Sequence, residues 1–467
     1  MTLALLLFYS AALIGLGLWI GRRVRSAGAF FVAGRALGPG LIFATILAAN
    51  IGAGSTVGAA SRAWRDGFSA WWWVGSAGLG TILLGWWLGP RLWRIAKQHD
   101  LHTVGDLLEL RYGAATRGAV AALLWVGTLA ILGSQLMAVA WVLDVVAGIP
   151  RVWGCVLGGA VVTAYFYAGG LVTSAWVNLV QLVVLVAGFA LALPFALDAV
   201  GGHTALLDLR PTDDYWGFTR GGTSGWIFAP LLVPAFLVSP GLVQKCWGAK
   251  SAHAVRRGVV AAGVALLVFS LFPTLLGMTA RALHPTLDHP DLALPTLLVT
   301  DLPAWLGLLG LAAVFSAELS SADAILFMLA TSLSRDLYRR FLRPEASDRE
   351  ILRVARVAAA VGGALGVVLA LQLPDVIAGL QIFYALLGVS LLVPVIVAAH
   401  GRWADASPAG RRGTLSALTC AAVGVGTLLW ARGAVVAPLT PNLVALAASA
   451  AGFAVPWFGL RSHRSRC

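Results

Sequence analysis

Runs of apolar residues long enough to cross a lipid bilayer recur along almost the whole chain. A membrane-spanning helix needs about 20 mostly apolar residues, because no water in the hydrocarbon layer can satisfy an open backbone. Thirteen such runs can be read in the 467 residues. They lie near residues 3–20, 38–60, 69–90, 118–143, 152–170, 172–197, 225–244, 258–280, 303–333, 354–373, 375–399, 413–431 and 441–460. The sequence therefore predicts an all-α polytopic membrane protein with about 13 transmembrane helices.

The composition excludes the soluble classes of protein. Charged residues make up 11% of the chain and hydrophobic residues 59%, whereas roughly a quarter of a soluble domain is charged. Disordered chains are charged and poor in aromatic residues, and this chain has 19 tryptophans. The four cysteines show no metal-binding or redox spacing; they are Cys155, Cys246, Cys420 and Cys467.

Basic residues predict the orientation in the membrane. With the N-terminus outside and the C-terminus in the cytoplasm, 26 of the 33 Lys and Arg residues fall on the inner side, as the positive-inside rule requires. We therefore expect a multi-pass protein of the cell membrane with no basic residue inside a span. Anionic lipid accounts for the net charge of +13, so the lipid bilayer, and not nucleic acid, is the expected partner.

Two spans are interrupted at mid-depth. The second contains Asn50, Gly52, Gly54 and Ser55, and the seventh, around Ser239, contains several prolines. Glycine and proline both weaken the helical hydrogen-bond ladder, although both are also common in intact membrane helices.

The two interrupted spans are five spans apart, which predicts two inverted five-helix repeats, spans 2–6 and 7–11, each beginning with a broken helix. We expect one transporter domain over residues 1–467, with repeats at about 38–197 and 225–399. Two peripheral C-terminal helices would occupy residues 400–467.

The ninth span carries the acidic residues that lie deep in the membrane. Glu318 and Asp323 fall in its middle, beside the hydroxyl pair Ser320 and Ser321. Ionisable groups at this depth are costly and usually functional. The serines could supply oxygen ligands to a hard cation. From composition alone, hydroxyls that bond to their own helix or small residues that allow close packing explain the pair better.

Several separated motifs resemble those of the sodium:solute symporter family. This family includes the bacterial sodium/proline and sodium/galactose carriers and shares the inverted-repeat fold of the bacterial leucine transporter. The resemblance covers about residues 5–400. It rests on FFVAGRALGPG (30–40), AANIGAG (48–54), YAGGLVTSAWVNLVQ (167–181), VQKCWGAKS (243–251), SAELSSADAIL (316–326) and RDLYRRF (335–341).

The resemblance implies a sodium site between spans 2 and 9. Its ligands would be the carbonyls of Ala48, Ile51 and Ala317 and the hydroxyls of Ser320 and Ser321.

Four further residues are candidates for the ion path. Many family members have an Asp three residues before the Gln of the Gly-Gly motif, but here the pair is Asn178 and Gln181. Asp323 stands where the family commonly has an Asp, which also fits a helix-end or packing role. Glu318 is less standard, and it could be a proton-sensitive group or a counter-charge within the bundle.

A solute cavity is expected where the helix breaks face polar residues of neighbouring spans. The candidates are Asn50, Gly52, Gly54, Ser55, Ser134, Gln135, Phe236, Ser239, Gln381 and Tyr384. The triplet Trp71, Trp72 and Trp73 favours an interfacial anchor, and the alternative is that one of its rings bounds the cavity. The outer cluster His284, Asp288, His289 and Asp291 fits a solvated turn better than a metal site.

Together these features predict a sodium-coupled symporter that imports a small organic solute by alternating access. Sodium would be co-transported, and the solute could be an amino acid, a carboxylate, a sugar or a quaternary amine. A proton-coupled carrier that uses Glu318 and a transporter-like sensor or channel are the alternatives. A membrane-embedded enzyme is least favoured, because the spans contain no metal-ligand motif and no nucleophile beside a base.

Overall fold

The computed structural model describes residues 33–167, 171–220, 224–400, 411–431 and 441–459, with five isolated residues near the N-terminus. The predicted first span, 3–20, therefore lies almost wholly outside the described residues. Within them the regular elements are helical, and β-pairing is limited to an isolated bridge between Leu37 and Ala249. The predicted all-helical class is confirmed.

Nineteen α-helices follow one another in the described part of the chain. They are α1 Pro39–Asn50, α2 Val57–Asp66, α3 Trp71–Leu83, α4 Gly89–Gln98, α5 Val104–Tyr112, α6 Ala114–Ala147, α7 Arg151–Tyr167, α8 Leu171–Ala199, α9 His203–Leu207, α10 Ala229–Val238, α11 Pro240–Trp247, α12 Ala252–Phe269, α13 Leu271–Leu283, α14 Ala293–Thr300, α15 Ala304–Thr331, α16 Asp348–Gln372, α17 Val376–His400, α18 Arg411–Ala431 and α19 Pro441–Gly459. A π-helical turn, Leu84–Leu88, joins α3 to α4, and a second π-helical segment, Ser332–Leu342, extends α15.

Eight helical segments of the described chain are long and apolar enough to cross a membrane, and the bent pair that begins with α1 makes a ninth. Two shorter apolar helices, Arg151–Ala164 and Pro441–Trp457, fall below that length. The protein is therefore a multi-pass membrane protein. The number of thirteen spans stays a prediction, because short or broken helices do not reach a full membrane length individually.

The first break separates α1 from α2, and the helix axis turns by 78° there. Ile51 and Gly52 leave the helical conformation, with φ and ψ of −102° and 106° at Ile51. Glycine is required at position 52 because a Cβ atom there would overlap the hydroxyl of Ser321 on α15. The break thus lets another helix approach the backbone closely.

The second break separates α10 from α11 at Ser239, which has φ −52° and ψ 120°. Pro240 explains this geometry, because it has no N–H to donate and disfavours the helical conformation of the residue before it. Both interruptions predicted from Gly and Pro are therefore present.

The two broken helices meet at one end. Leu37, just before α1, accepts a hydrogen bond from the backbone N–H of Lys250 and donates to the carbonyl of Gly248, both over 2.9 Å. These partners directly follow α11, so the start of α1 lies beside the end of α11. The first helix of one broken pair therefore starts at the level where the second helix of the other pair ends.

Helix α15 lies at the centre of the bundle. In its most apolar stretch 89% of the residues are buried, against 39% in α16. It packs against α1, α6, α8 and α11. A polar side chain on α15 therefore meets protein on almost every side, and this position makes it the main wall of the site.

Candidate functional site

The five residues predicted to bind sodium lie together where α1 ends against α15. The hydroxyl of Ser320 is 3.0 Å from the carbonyl oxygens of both Ala48 and Ala317. The hydroxyl of Ser321 is 3.0 Å from the carbonyl oxygen of Ile51. All five residues are buried. The break after Asn50 supplies this geometry, because it leaves the last carbonyls of α1 without helical partners.

This group of atoms has the chemistry of a site for a small monovalent cation. Its five members are neutral oxygens, three carbonyls and two hydroxyls, which are the ligand type that hard cations prefer. Each hydroxyl can turn its hydrogen away and present a lone pair to an ion. The described residues contain no group of three or more His, Cys, Asp or Glu able to hold a metal, so the donor set fits sodium better than a transition metal.

Asn178 and Gln181 lie on α8, beside α1. The side-chain amide of Asn178 donates to the hydroxyl of Thr45 over 3.4 Å. Gln181 is buried, and neither of its side-chain polar atoms has a hydrogen-bond partner among the described residues. Both residues thus place amide groups near the helix that carries the Ala48 carbonyl.

Glu318 lies at the opposite end of the break from Ser321. Its Oε1 atom accepts a hydrogen bond from the hydroxyl of Thr56 over 2.9 Å, and the side chain is fully buried. The Oε2 atom has no hydrogen-bond partner among the described residues. Because the carbonyl of the preceding residue, Ala317, belongs to the oxygen cluster, Glu318 joins that cluster to the start of α2.

Lys245 contradicts the prediction that no basic residue lies inside a span. It belongs to α11, within the membrane-spanning segment Gly225–Trp247, and it is buried. Its ammonium group donates to the hydroxyl of Thr45 over 2.9 Å and attracts the carboxylate of Asp323 electrostatically. The apolar run ends at Gln244, but the helix continues to Trp247 because α11 packs against other helices instead of ending at the interface.

A pocket opens beside the oxygen cluster, between both helix breaks and helices α3, α6, α15 and α17. It contains about 710 Å³ of space between protein atoms, part of it open to solvent. Eight of the ten predicted residues line it: Asn50, Gly52, Gly54, Ser55, Gln135, Phe236, Ser239 and Tyr384. Ser321 also lines the pocket, so the two sites share a wall.

Ser134 and Gln381 do not line the pocket. The hydroxyl of Ser134 lies 3.4 Å from the carbonyl of Ala130 on its own helix and fills the space beside Gly379. Gln381 is half-buried away from the pocket wall. Adjacent helical residues point about 100° apart, so Gln135 can face the pocket while Ser134 faces α17.

Hydrogen bonds order the polar wall of the pocket. The Gln135 side chain accepts the backbone N–H of Ala53 over 2.9 Å. The amide of Asn50 donates to the hydroxyl of Thr81 over 3.0 Å, and the hydroxyl of Ser55 donates to the carbonyl of Asn50 over 2.8 Å. The backbone groups that the break exposes are thus largely satisfied by side chains.

Trp73 is a pocket residue for which the sequence favoured a membrane anchor. Its indole N–H donates to the carbonyl of Gly54 over 2.9 Å, and the ring is buried. Its neighbours Trp71 and Trp72 are partly exposed and pack against Phe218 of the loop between α9 and α10. The alternative interpretation, in which one ring of the triplet bounds the cavity, is therefore correct for Trp73.

Aromatic rings form the apolar part of the pocket wall. The ring of Tyr384 lies 5.1 Å from that of Phe236 and 5.5 Å from that of Phe383, between ring centroids. Trp73 completes the group at 6.3 Å from Tyr384. Rings at these distances are in contact with each other, so they form one continuous aromatic surface that an apolar or cationic part of a small ligand can face.

Of the cluster His284, Asp288, His289 and Asp291, Asp288 is exposed, as expected for a solvated turn, but Asp291 is not. Asp291 is fully buried, and its Oδ2 atom accepts the backbone N–H of Val376 over 3.0 Å. Burial raises the pKa of this carboxyl, and the nearby His289 opposes the shift. The ring of His289 stacks on Trp141 with 4.9 Å between centroids. Asp291 therefore fastens the N-terminal end of α17 to the body of the protein.

A model of the sodium:solute symporter family matches residues 30–403. The chain belongs to this family. The family that the motifs predicted is thus confirmed.

Curated relatives of this sodium:solute symporter family member are transporters and not enzymes. The chain is 26% identical to the sodium/pantothenate symporter of Escherichia coli over 91% of its own length and 89% of that protein. It is 24% identical to the high-affinity choline transporter 1 of Caenorhabditis elegans, over 80% of the chain and 69% of the relative. It is also 25% identical to the sodium/glucose cotransporter of Vibrio parahaemolyticus, over 76% and 71%.

Two solved structures share the fold. A Na⁺-coupled sialic acid symporter in a substrate-bound outward-open state superposes with a TM-score of 0.79 over 97% of each chain, at 18% identity. A nucleobase-cation-symport-1 family transporter in a closed conformation with bromovinylhydantoin bound gives a TM-score of 0.60, covering 92% of this chain and 93% of its own, at 16% identity. At these identities the similarity concerns the fold.

Proposed function

We propose that this protein is a sodium-coupled symporter that imports a small organic solute by alternating access. The observation that carries the proposal is the convergence of five neutral oxygen atoms from α1 and α15 at a helix break, next to a pocket that shares Ser321. Membership of the sodium:solute symporter family and the sodium-coupled relatives support the choice of ion.

The proposed fold has thirteen spans and two inverted repeats within one transporter domain. The meeting of the start of α1 with the end of α11 through Leu37 supports inversion, because the first helix of the second repeat would leave the membrane at the level where the first helix of the first repeat enters it. The excess of basic residues on alternate loops supports an outer N-terminus and a cytoplasmic C-terminus in the cell membrane. Helices α18 and α19 pack chiefly on each other and on α17, as peripheral helices would.

Sodium would act as a bridge between the two helices that carry its ligands. With the ion bound, the end of α1 and the middle of α15 are held together, which orders the adjoining pocket for the solute. The membrane potential contributes about 2.3 kcal/mol per charge per 100 mV. This energy would drive the ion inwards and the solute with it.

The pocket can accept several classes of small organic solute. Its described lining residues include one basic side chain, Lys245, and no acidic one. A carboxylate would find a charge partner in Lys245, whereas a quaternary amine would depend on the faces of Trp73, Phe236 and Tyr384. A sugar would use Asn50 and Gln135, after release of their present hydrogen bonds.

The decisive experiment is uptake into proteoliposomes that contain the purified protein. Amino acids, carboxylates, sugars and quaternary amines are tested with an inward sodium gradient, with equal potassium on both sides, and with an inward proton gradient alone. We expect at least one solute to accumulate only with the sodium gradient. Accumulation that follows the proton gradient without sodium would instead establish the proton-coupled carrier.

A further inference from the structure

A second concave site lies away from the pocket, between α4 and the start of α12. It is lined by Trp86, Trp87, Pro90, Arg91, Arg94, Ala252, His253 and Arg256. Three arginines and a histidine thus face one groove, and no acidic residue lines it. The two walls come from different helices, which holds the charged groups at a fixed separation.

The three arginines of this groove are free of ion pairs among the described residues. Arg91, Arg94 and Arg256 are exposed and form no salt bridge there, whereas Arg117 is paired with three carboxylates. Each guanidinium carries five N–H donors in a planar fork that matches phosphate oxygens. The guanidinium donors of the groove are therefore available to the oxygen atoms of a phosphate-type anion.

An exposed apolar surface continues from the groove along the outside of the bundle. Trp86 is 58% exposed, on the π-helical turn that joins α3 to α4. On α12, Val264 and Val268 are 49% and 56% exposed. They lie eight and twelve residues after Arg256, and residues spaced by four lie on nearly the same face of a helix, so the three form one stripe. From Arg256 to Val268 the helix rises about 18 Å, comparable with one leaflet of the hydrocarbon layer, about 15 Å.

We propose that this groove binds an anionic phospholipid. The phosphate of the headgroup contacts Arg91, Arg94 and Arg256, and the acyl chains lie along the stripe from Trp86 to Val268. Tryptophan marks the depth at which headgroups meet hydrocarbon. The arginines of the groove therefore lie at the level of a lipid headgroup, and the apolar stripe lies at the level of its acyl chains. A free phosphate ion would use the arginines but gain nothing from the stripe.

The test is binding of lipids to the full-length protein purified in detergent, measured by native mass spectrometry and thermal shift. The probes are palmitoyl-oleoyl phosphatidylglycerol, the phosphatidylcholine with the same acyl chains, and inorganic phosphate. We expect phosphatidylglycerol to bind and stabilise the protein, and the other two to have little effect. Equal binding of both lipids, or equal stabilisation by inorganic phosphate, would overturn the proposal.

Matched variants locate the site. Each arginine near the membrane surface contributes roughly fivefold to anionic lipid binding, so the triple variant R91Q/R94Q/R256Q is expected to bind phosphatidylglycerol on the order of 100-fold more weakly. The control is R349Q/R353Q/R356Q, which removes the same charge from a basic patch on α16 alone.

The control triple variant should lose much less affinity. Equal losses in the two triple variants would show general surface attraction and reject the groove. The double variant Val264→Ser with Val268→Ser keeps the charge and changes the far end of the stripe. It should weaken binding of the long-chain lipid while leaving a short-chain phosphatidylglycerol unaffected.

Discussion

The side-chain hydroxyl of Ser321 lies 3.0 Å from the carbonyl oxygen of Ile51, which joins two segments 270 residues apart in the chain. Ile51 is the first residue of the break in the α1–α2 helix, and Ser321 is buried in the middle of α15. The same serine also lines the neighbouring pocket. Through this one contact the proposed ion site and the proposed solute site share a side chain.

Replacing Ser320 and Ser321 with alanine should abolish sodium-dependent uptake. Each hydroxyl removed is expected to weaken sodium activation roughly tenfold or more, because contacts of a charged group contribute about 1.5–3 kcal/mol. The sodium concentration that gives half-maximal uptake is measured for each single variant, and uptake with and without a sodium gradient is measured for the double variant. Ser316→Ala is the control, since that hydroxyl bonds to the Ala312 carbonyl of its own helix. Unchanged sodium activation in the double variant would remove these serines from the ion site.

Trp73→Phe should raise the solute KM about fivefold, because it deletes a hydrogen bond of about 1 kcal/mol to the Gly54 carbonyl. The maximal uptake rate should change little, since the ring still fills the pocket wall. Trp72→Phe is the matched control, because its indole N–H bonds to the Phe218 carbonyl at an exposed position. If both variants shift the KM equally, the pocket role of Trp73 is wrong.

Lys245→Met and Asp323→Asn should each lower the melting temperature of the purified protein, because each removes a charge that attracts the buried opposite charge of the other residue. In the double variant, the loss of unfolding free energy is expected to be about 1 kcal/mol smaller than the sum of the losses in the two single variants, as is found for interacting residues. Lys250→Met serves as control, since its side chain is exposed. Strict additivity in the thermal unfolding data would show that the two charges do not interact.

Asp291 should make stability depend on pH in the acid range. Burial raises the pKa of its carboxyl above the value in the unfolded chain. Its contribution to stability is therefore full below the unfolded value and is lost as the pH rises through the folded one. Thermal unfolding from about pH 4 to about pH 8 should show this loss in the wild type.

Asp291→Asn keeps an acceptor for the Val376 N–H and should flatten that part of the pH profile. Asp288→Asn, at an exposed position three residues earlier, should leave the profile unchanged. A profile that is the same in the wild type and in both variants would assign the pH dependence to other groups.

The parts of the site that could be predicted are those set by local sequence. Gly52 and Pro240 disrupt helical hydrogen bonding wherever they stand, so both breaks could be placed from composition. The family resemblance then singled out Ser320 and Ser321 from other hydroxyls in the spans. In contrast, Ser134 and Gln135 are equally polar neighbours, and only the packing of α6 against α17 decides which of them faces the pocket.

Lys245 and Trp73 escaped prediction for a related reason. A hydropathy pattern ends a span at the first charge, and it assigns clustered tryptophans to the interface. Neither rule includes the partners that a folded bundle supplies. Lys245 donates a hydrogen bond to the hydroxyl of Thr45, and Trp73 donates one to the carbonyl of Gly54. Burying either polar group without such a partner would cost free energy.

The sequence by itself determined that this protein is a helical bundle in a membrane, where its helices break and to which family it belongs. These properties follow from the length of apolar runs, from residues that cannot continue a helix and from short motifs. Only the tertiary structure decided which polar atoms meet. Ala48, Ile51 and Ser321 approach because a glycine lets α15 come close to an open backbone, and such an approach depends on the packing of helices far apart in the chain.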